Sequence, residues 1–232
     1  MIFLTSPGNP TSTLVPLSVV KQILDSPYFN GLVVIDEAYI DFAILSSPNE
    51  PVSAAALMDD YPNLVVLQTL SKGFGLAAIR LGLALASPEL VQILSNTKAP
   101  YNISAPTAAL ALRALAPESL VGMRTKVQQL IRGREWLVAA LEEFGRQGDL
   151  GNRVGGLDAN FVMFPTLKRG TGKPDNVRAE KVYQKMAETE GVVVRFRGRE
   201  PGCEACLRVT VGTDEENRTC VGKLRKVLEE TE

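Results

Sequence analysis

The chain has 232 residues, of which 45% are hydrophobic and 22% charged, and its formal net charge is −1. This balance supplies a real core and gives no basic nucleic-acid surface; no apolar run approaches a membrane span, and MIFLTSPGNP lacks the basic region of a signal peptide. There is no histidine, so dyads and triads built on a histidine base are excluded within the chain, and proton transfer near neutral pH falls to lysine, carboxylate, tyrosine, cysteine or a cofactor.

Four short apolar runs occupy the first ninety residues: 2-IFLT-5, 32-LVVID-36, 64-LVVLQ-68 and 81-LGLALA-86. They lack alternation, which predicts strands buried on both faces of an α/β sheet. Helices are expected at Leu17 to Leu24 and Ser53 to Asp59, and a helical pattern runs from Pro106 to Phe144, with breaks near Pro117 and Gly145. Beyond Gly145 the texture becomes that of a compact α+β unit. A strand is expected at 159-ANFVMFPT-166, a helix at Val177 to Glu190, strands at 192-VVVRFR-197 and 207-LRVTVG-212, and a final helix from Asp214. The predicted organisation is a domain over residues 1–118 and a small C-terminal domain over 119–232.

Three cysteines are present, Cys203, Cys206 and Cys220. The first two form a C-x-x-C, but a structural zinc site needs about four ligands. No metal site is expected, and the pair reads as a plain loop feature. The odd count suits a reducing compartment.

The stretch 69-TLSKGFGLAAIRLG-82 sets Lys72 where a buried strand runs into a glycine-rich turn. A solvated loop lysine is one reading. A nucleotide turn is another, since Gly73-Phe-Gly75-Leu-Ala-Ala78 matches G-x-G-x-x-A. The next apolar run starts too soon after Gly75 for a parallel crossover, which needs about a dozen residues; a tight reversal into an antiparallel strand is expected instead. The third reading takes Lys72 with its neighbours. Ligands of parallel α/β sheets bind at the carboxyl ends of strands, and those ends carry 6-SPGNPTS-12, 36-DEAY-39 and 71-SK-72, with Arg80 just beyond. A lysine amine able to form an imine, a carboxylate to hold a ring nitrogen protonated, hydroxyl and amide donors, and an arginine for a phosphate together match the needs of pyridoxal phosphate.

With D-E-A-Y and N-P-T before it, S-K-x-x-G-L-A-x-x-R-x-G resembles the fold type I pyridoxal-phosphate aminotransferases, and within them the histidinol-phosphate aminotransferase branch. The stretches 98-KAPYNIS-104 and 202-GCEACLRVTVGT-213 are similar to its fungal members. The resemblance implies an α/β chain: a partial, mostly parallel sheet with helices from the large cofactor domain, plus the small α+β domain. It implies Lys72 as the imine-forming lysine and proton shuttle, Asp36 as partner of the pyridinium nitrogen, and Asn9 and Tyr39 as donors to the phenolic oxygen. Ser71 and Arg80 are implied as phosphate ligands, Arg208 as the clamp on the substrate carboxylate, and Arg195 as the ligand of the substrate phosphate. The implied reaction moves an amino group between L-histidinol phosphate and 2-oxoglutarate, giving glutamate, in a cytoplasmic enzyme of histidine biosynthesis. Neither nucleic acid nor membrane is a partner.

Two departures accompany the resemblance. Ser12 stands where the family has glycine, which bears on the turn geometry. Family members also carry a long segment before the first strand seen here, so the chain reads as a C-terminal part of the enzyme. A homodimer is implied for the full-length form, and weak cofactor binding for this one. A related aminotransferase or decarboxylase, and a non-catalytic fragment, are the alternatives; a dinucleotide-binding dehydrogenase is the more distant one.

Overall fold

The structure is a computed structural model that describes residues 1–231. The chain divides into two compact units. The first comprises Met1–Asn9 and Thr13–Gln128; the second comprises Pro10–Ser12 and the chain from Gln129 onward.

In the first unit, β1 (Ile2–Thr5), α1 (Leu17–Leu24), β2 (Val33–Asp36), α2 (Ile40–Ser46), β3 (Leu64–Thr69) and β4 (Gly82–Leu85) follow in order, then α3 (Pro88–Thr97) and α4 (Ala105–Ala114). The sheet order is β1-β2-β3-β4. The first three strands are parallel and β4 is antiparallel to β3, in the sense expected from the tight turn after Gly75. Val20 and Leu24 of α1 pack on Val33, Ile35, Leu64 and Val66, and Ala54 and Leu57 close the same layer from a short 3-10 turn where a longer helix is expected from sequence. Two features depart from the sequence reading. Burial on both faces holds for the front of β2 and β3, whereas β1 alternates half-buried and exposed residues and all four residues of β4 are exposed. Helices α2 and α3 form where no helix is expected: one follows D-E-A-Y directly, and the other starts with Pro88 inside its first turn.

The long helix α5 (Pro117–Arg146) contains the division between the units, which falls after Gln128. In the second unit β5 (Phe161–Pro165), α6 (Asn176–Glu188), β6 (Arg195–Phe196), β7 (Cys206–Thr210) and α7 (Asp214–Glu229) form an antiparallel sheet of order β5-β7-β6 under helices. Alternation sorts its faces. Val162, Phe164, Leu207 and Val209 point into a core with Leu137, Leu141 and Phe144 of α5, Val182 of α6 and Leu224 of α7. The segment 192-VVVRFR-197, expected as a full strand, pairs only at Arg195 and Phe196, while Val194 turns into the core.

A buried arginine fixes the end of this unit. Arg178 on α6 is 1% exposed. Its guanidinium donates to the carbonyls of Leu167, Leu228 and Thr231 and to the Asp149 carboxylate. Asp175 caps the same helix by accepting from the amides of Val177 and Arg178. One planar fork thus satisfies carbonyls left over at the end of α7. We expect Arg178→Met to lower unfolding stability by about 2–4 kcal/mol in urea melts, because it strands the Leu167 and Thr231 carbonyls and leaves Asp149 and the Leu228 carbonyl with Arg169 as their remaining partner.

Residues 10–12 are held by the loop before β5. Gly156 and Asp158 amides donate to the carbonyls of Thr11 and Ser12, and the Ala159 amide donates to Ser12 Oγ at 2.8 Å. Gly155, at φ +84°, lies so close that a side chain would run into the Thr11 carbonyl. Ser12 adopts φ 54°, the left-handed conformation that glycine takes without cost. Its buried hydroxyl offsets the strain. Two opposed effects give a paired expectation: Ser12→Gly stays within about 1 kcal/mol of the parent, because relieved strain balances the lost bond, whereas Ser12→Ala loses about 1–3 kcal/mol in the same melts.

Candidate active site

The registers of β1, β2 and β3 set Thr5, Asp36 and Leu67 in one row. The ladder continues past it, with Ser6 donating to the Asp36 carbonyl and Glu37 to the Leu67 carbonyl. The segments that carry the candidate residues therefore leave the sheet at the same level. Asp36 closes β2, half-buried, and its Oδ1 accepts from the Ala38 amide at 3.0 Å, turning the chain into α2. Glu37, 1% exposed, accepts from Ser53 Oγ, the Ala54 amide and Gln68 Nε2. Burial pushes its carboxyl above the usual range, against the pull of those three donors. This network ties the D-E-A-Y segment to β3.

Tyr39 follows as the residue capping α2, and it is buried. Lys72 sits on the turn after β3, exposed, with its Nζ 5.3 Å from the centre of the Tyr39 ring. The ring face attracts the ammonium group. The turn is bonded at both ends: Gly75 donates to the Lys72 carbonyl and Leu76 to the Leu70 carbonyl. Thr69 accepts from the Ser71 amide and donates to Ser71 Oγ, which anchors that hydroxyl beside Lys72. Arg80, also exposed, has φ 54° and donates to the Ala77 carbonyl. Asn9 lies exposed in the loop after β1. Lys72 and Tyr39 are thus in contact, and Asp36 and Ser71 stand on adjoining strand ends.

Arg195 and Arg208 are direct cross-strand partners on β6 and β7, so they project from the same face of the second sheet. That face is the one opposite the helical core. Arg208 stacks its guanidinium 4.7 Å from the Phe161 ring centre. Arg195 lines a cleft of about 530 Å³ with Glu180, Tyr183, Phe196, Arg197, Arg199 and Glu200. Arg197 is paired with Glu200 and Arg199 with Glu180, while Arg195 has no ion pair among the described residues. Like charges opposed across a ladder are unfavourable unless an anion joins them.

Cys203 and Cys206 are buried free thiols packed with Met163 and Val154. Burial pushes the Cys206 thiol up to about 12. Among the described residues no cluster of histidine, cysteine, aspartate and glutamate could hold a metal ion, and no helix is long and apolar enough to cross a membrane.

Three contributors are not evident from motif reading. Phe161 becomes visible once β5 is paired with β7, since it lies on the face of Arg208. Thr69 is the hydroxyl that holds Ser71. Asp41, two residues after Tyr39, packs against the Lys72 turn, and burial with the nearby Glu37 charge pushes its carboxyl up to about 6. The native state therefore holds this proton more tightly than the unfolded chain, whose carboxyl titrates near 3.8. Stability associated with Asp41 is present below the lower value and is lost as pH rises to the upper one. We expect Asp41→Asn to match the parent near pH 4 and to exceed it by up to about 3 kcal/mol above pH 6, read from denaturant midpoints across pH.

The pattern of the family described as "Aminotransferase class I and II" matches residues 1–224. The chain is 48% identical over 231 residues to the histidinol-phosphate aminotransferase of Schizosaccharomyces pombe, covering 99% of this chain and 58% of that protein. It is 45% identical to the Saccharomyces cerevisiae enzyme of the same name, covering 98% of this chain and 55% of that protein. The chain thus spans little more than half the length of these relatives. Among solved structures, histidinol-phosphate aminotransferase from Sinorhizobium meliloti, in complex with pyridoxal-5'-phosphate, aligns with a TM-score of 0.80 at 23% identity, over 98% of this chain and 57% of that one. A decarboxylase from Sulfurospirillum multivorans aligns at 0.82 and 26%, over 97% and 61%. With the family pattern running through both units, from β1 into α7, the chain belongs to the class I and II aminotransferases.

Proposed function

We propose that the chain is the C-terminal part of a pyridoxal-phosphate-dependent histidinol-phosphate aminotransferase, exchanging an amino group between L-histidinol phosphate and the 2-oxoglutarate/glutamate pair. The observation that carries this reading is the Lys72 amine held over the Tyr39 ring at the strand ends, beside Asp36 and Ser71. The donor set fits the cofactor. An exposed primary amine suits its aldehyde, a carboxylate suits its ring nitrogen, and a hydroxyl and a guanidinium suit its phosphate.

Pyridoxal phosphate, when bound, supplies a carbonyl that takes up the amino group and a protonated ring that accepts the electron pair of the substrate α-carbon. Lys72 would hold the cofactor through its amine and would move a proton to and from that carbon. Asp36 keeps the ring nitrogen protonated, and its turn bond to Ala38 fixes its direction. Tyr39 and Asn9 donate to the phenolic oxygen. Ser71 and Arg80 bind the cofactor phosphate. Arg208, steadied on Phe161, grips a substrate carboxylate with two parallel bonds. Arg195 takes the substrate phosphate, and its lack of an ion pair among the described residues supports that role.

In this reading the first unit is the remainder of the large cofactor domain and the second is the small domain, and the division lies within α5, after Gln128 rather than at the expected residue 118. The full-length enzyme is a homodimer acting in the cytoplasm in histidine biosynthesis. A structural neighbour is named a decarboxylase, but the relatives of 45–48% identity are named for transamination.

The test joins this chain to the preceding segment of the Schizosaccharomyces pombe relative. Lys72→Ala should abolish amino transfer. Arg195→Ala should lower kcat/KM for histidinol phosphate by about thirtyfold, equivalent to about 2 kcal/mol for a lost charged hydrogen bond, and leave the phosphate-free amino alcohol near its parent value. An equal loss for both substrates removes the phosphate role, and full activity of Lys72→Ala removes the reading altogether.

A further inference from the structure

We propose that Asp41 is a positioning residue for Lys72, backing the turn at Gly73 so that the lysine stem emerges over the Tyr39 ring. The relevant surfaces are close. An added Cβ on Gly73 would lie 2.2 Å from Asp41 Oδ2, 2.6 Å from its Cγ and 2.7 Å from its Cβ, so the whole carboxymethyl group rests on the bare backbone of residue 73. Such distances are available only where one partner has no side chain.

The spacing along the chain makes this contact a second point of a clamp. Tyr39 caps α2 and Asp41 lies in its first turn, so both project from one rigid helix start. Lys72 and Gly73 are adjacent on the opposing turn. The ring meets the lysine head and the carboxyl meets the backbone just after it. A lysine side chain has about 2 kcal/mol of rotamer freedom, and one ring contact alone restrains its head without fixing its stem. The Gly75-to-Lys72 and Leu76-to-Leu70 bonds close the turn but do not set it against α2. Asp41 does. Its carboxyl bonds to its own backbone amide, and burial together with Glu37 disfavours its charged form. Its contribution here is therefore one of shape, and Asp41→Asn conserves that shape.

The inference takes Lys72 as the reacting amine, as proposed above, but its test uses the 232-residue chain without cofactor and so stands or falls separately. The lysine ε-methylene protons lie near an aromatic face and are shifted upfield by its ring current; Lys72→Arg identifies their signal. In the parent and in Asp41→Asn the shift should be present. In Asp41→Ala it should collapse toward the ordinary lysine position, and amide exchange at Gly75 and Leu76 should rise at least about tenfold while Ile35 and Val66 in the strands keep their parent rates. Asp41→Ser, a milder truncation, should show the same collapse if the alanine variant does not fold. A shift that survives truncation overturns the proposal. So does exchange that rises equally in strands and turn, which would make Asp41 a residue of general stability alone.

Discussion

Hydrogen bonding in register between β1, β2 and β3 sets Thr5, Asp36 and Leu67 side by side, and the layout of the candidate site in the first unit depends on that row. Parallel strands rise at the same rate per residue, so segments that leave a common row reach similar heights after similar numbers of residues. Asp36 lies on the row itself. Tyr39 comes three residues beyond it and Lys72 five beyond Leu67, each at the start of a bonded turn. The Glu37 network locks the second of these segments to the third strand. A slip of one residue in either pairing would turn the set to the other side of the sheet.

The second unit solves a different problem. Its sheet gives one face to a helical core and leaves the other with two arginines opposed across a ladder. Two neighbouring arginines in the same segment, Arg197 and Arg199, are paired with glutamates, while Arg195 has no ion pair among the described residues. Arg208 rests on the Phe161 ring, which restrains its guanidinium. This face thus carries two guanidinium groups, and the proposed substrates each bear carboxylate or phosphate groups.

Strand positions in the first unit are legible because fully apolar runs of four or five residues have few other uses. The antiparallel sense of β4 agrees with the reversal expected after Gly75, although the whole connection from Thr69 to Gly82 is about a dozen residues, so chain length alone does not decide it. Helix α2 is not legible, because its seven residues begin directly after a motif whose chemistry dominates the reading. The extent of β6 is not legible either: Val192 and Val193 have strand-forming side chains, but pairing is decided by β7, far along the chain. The motif residues of the candidate site stand out individually, while the opposition of Arg195 to Arg208 and the contact of Asp41 with Gly73 depend on register and packing. No local pattern encodes these. Ser12 lies between the two cases. Its left-handed backbone is foreshadowed by the glycine it replaces, and the hydroxyl bond that makes serine acceptable is not.

That serine carries a consequence for the order of folding. Its hydroxyl meets the Ala159 amide across 147 positions of sequence, and its carbonyl meets the amide of Asp158. Closing so long a loop costs only about 0.6 kcal/mol more for each doubling of length, so the contact is tolerable at equilibrium. Kinetically it is expensive, since non-local contacts of this kind raise contact order and slow the search. During vectorial synthesis residues 10–12 leave the ribosome first and must wait for the loop they complete. A scission after Gln128 would therefore yield two pieces of which the later lacks three of its own residues, and a circular permutant that delivers 10–12 alongside 155–159 should reach its final packing sooner than the natural order of the chain allows.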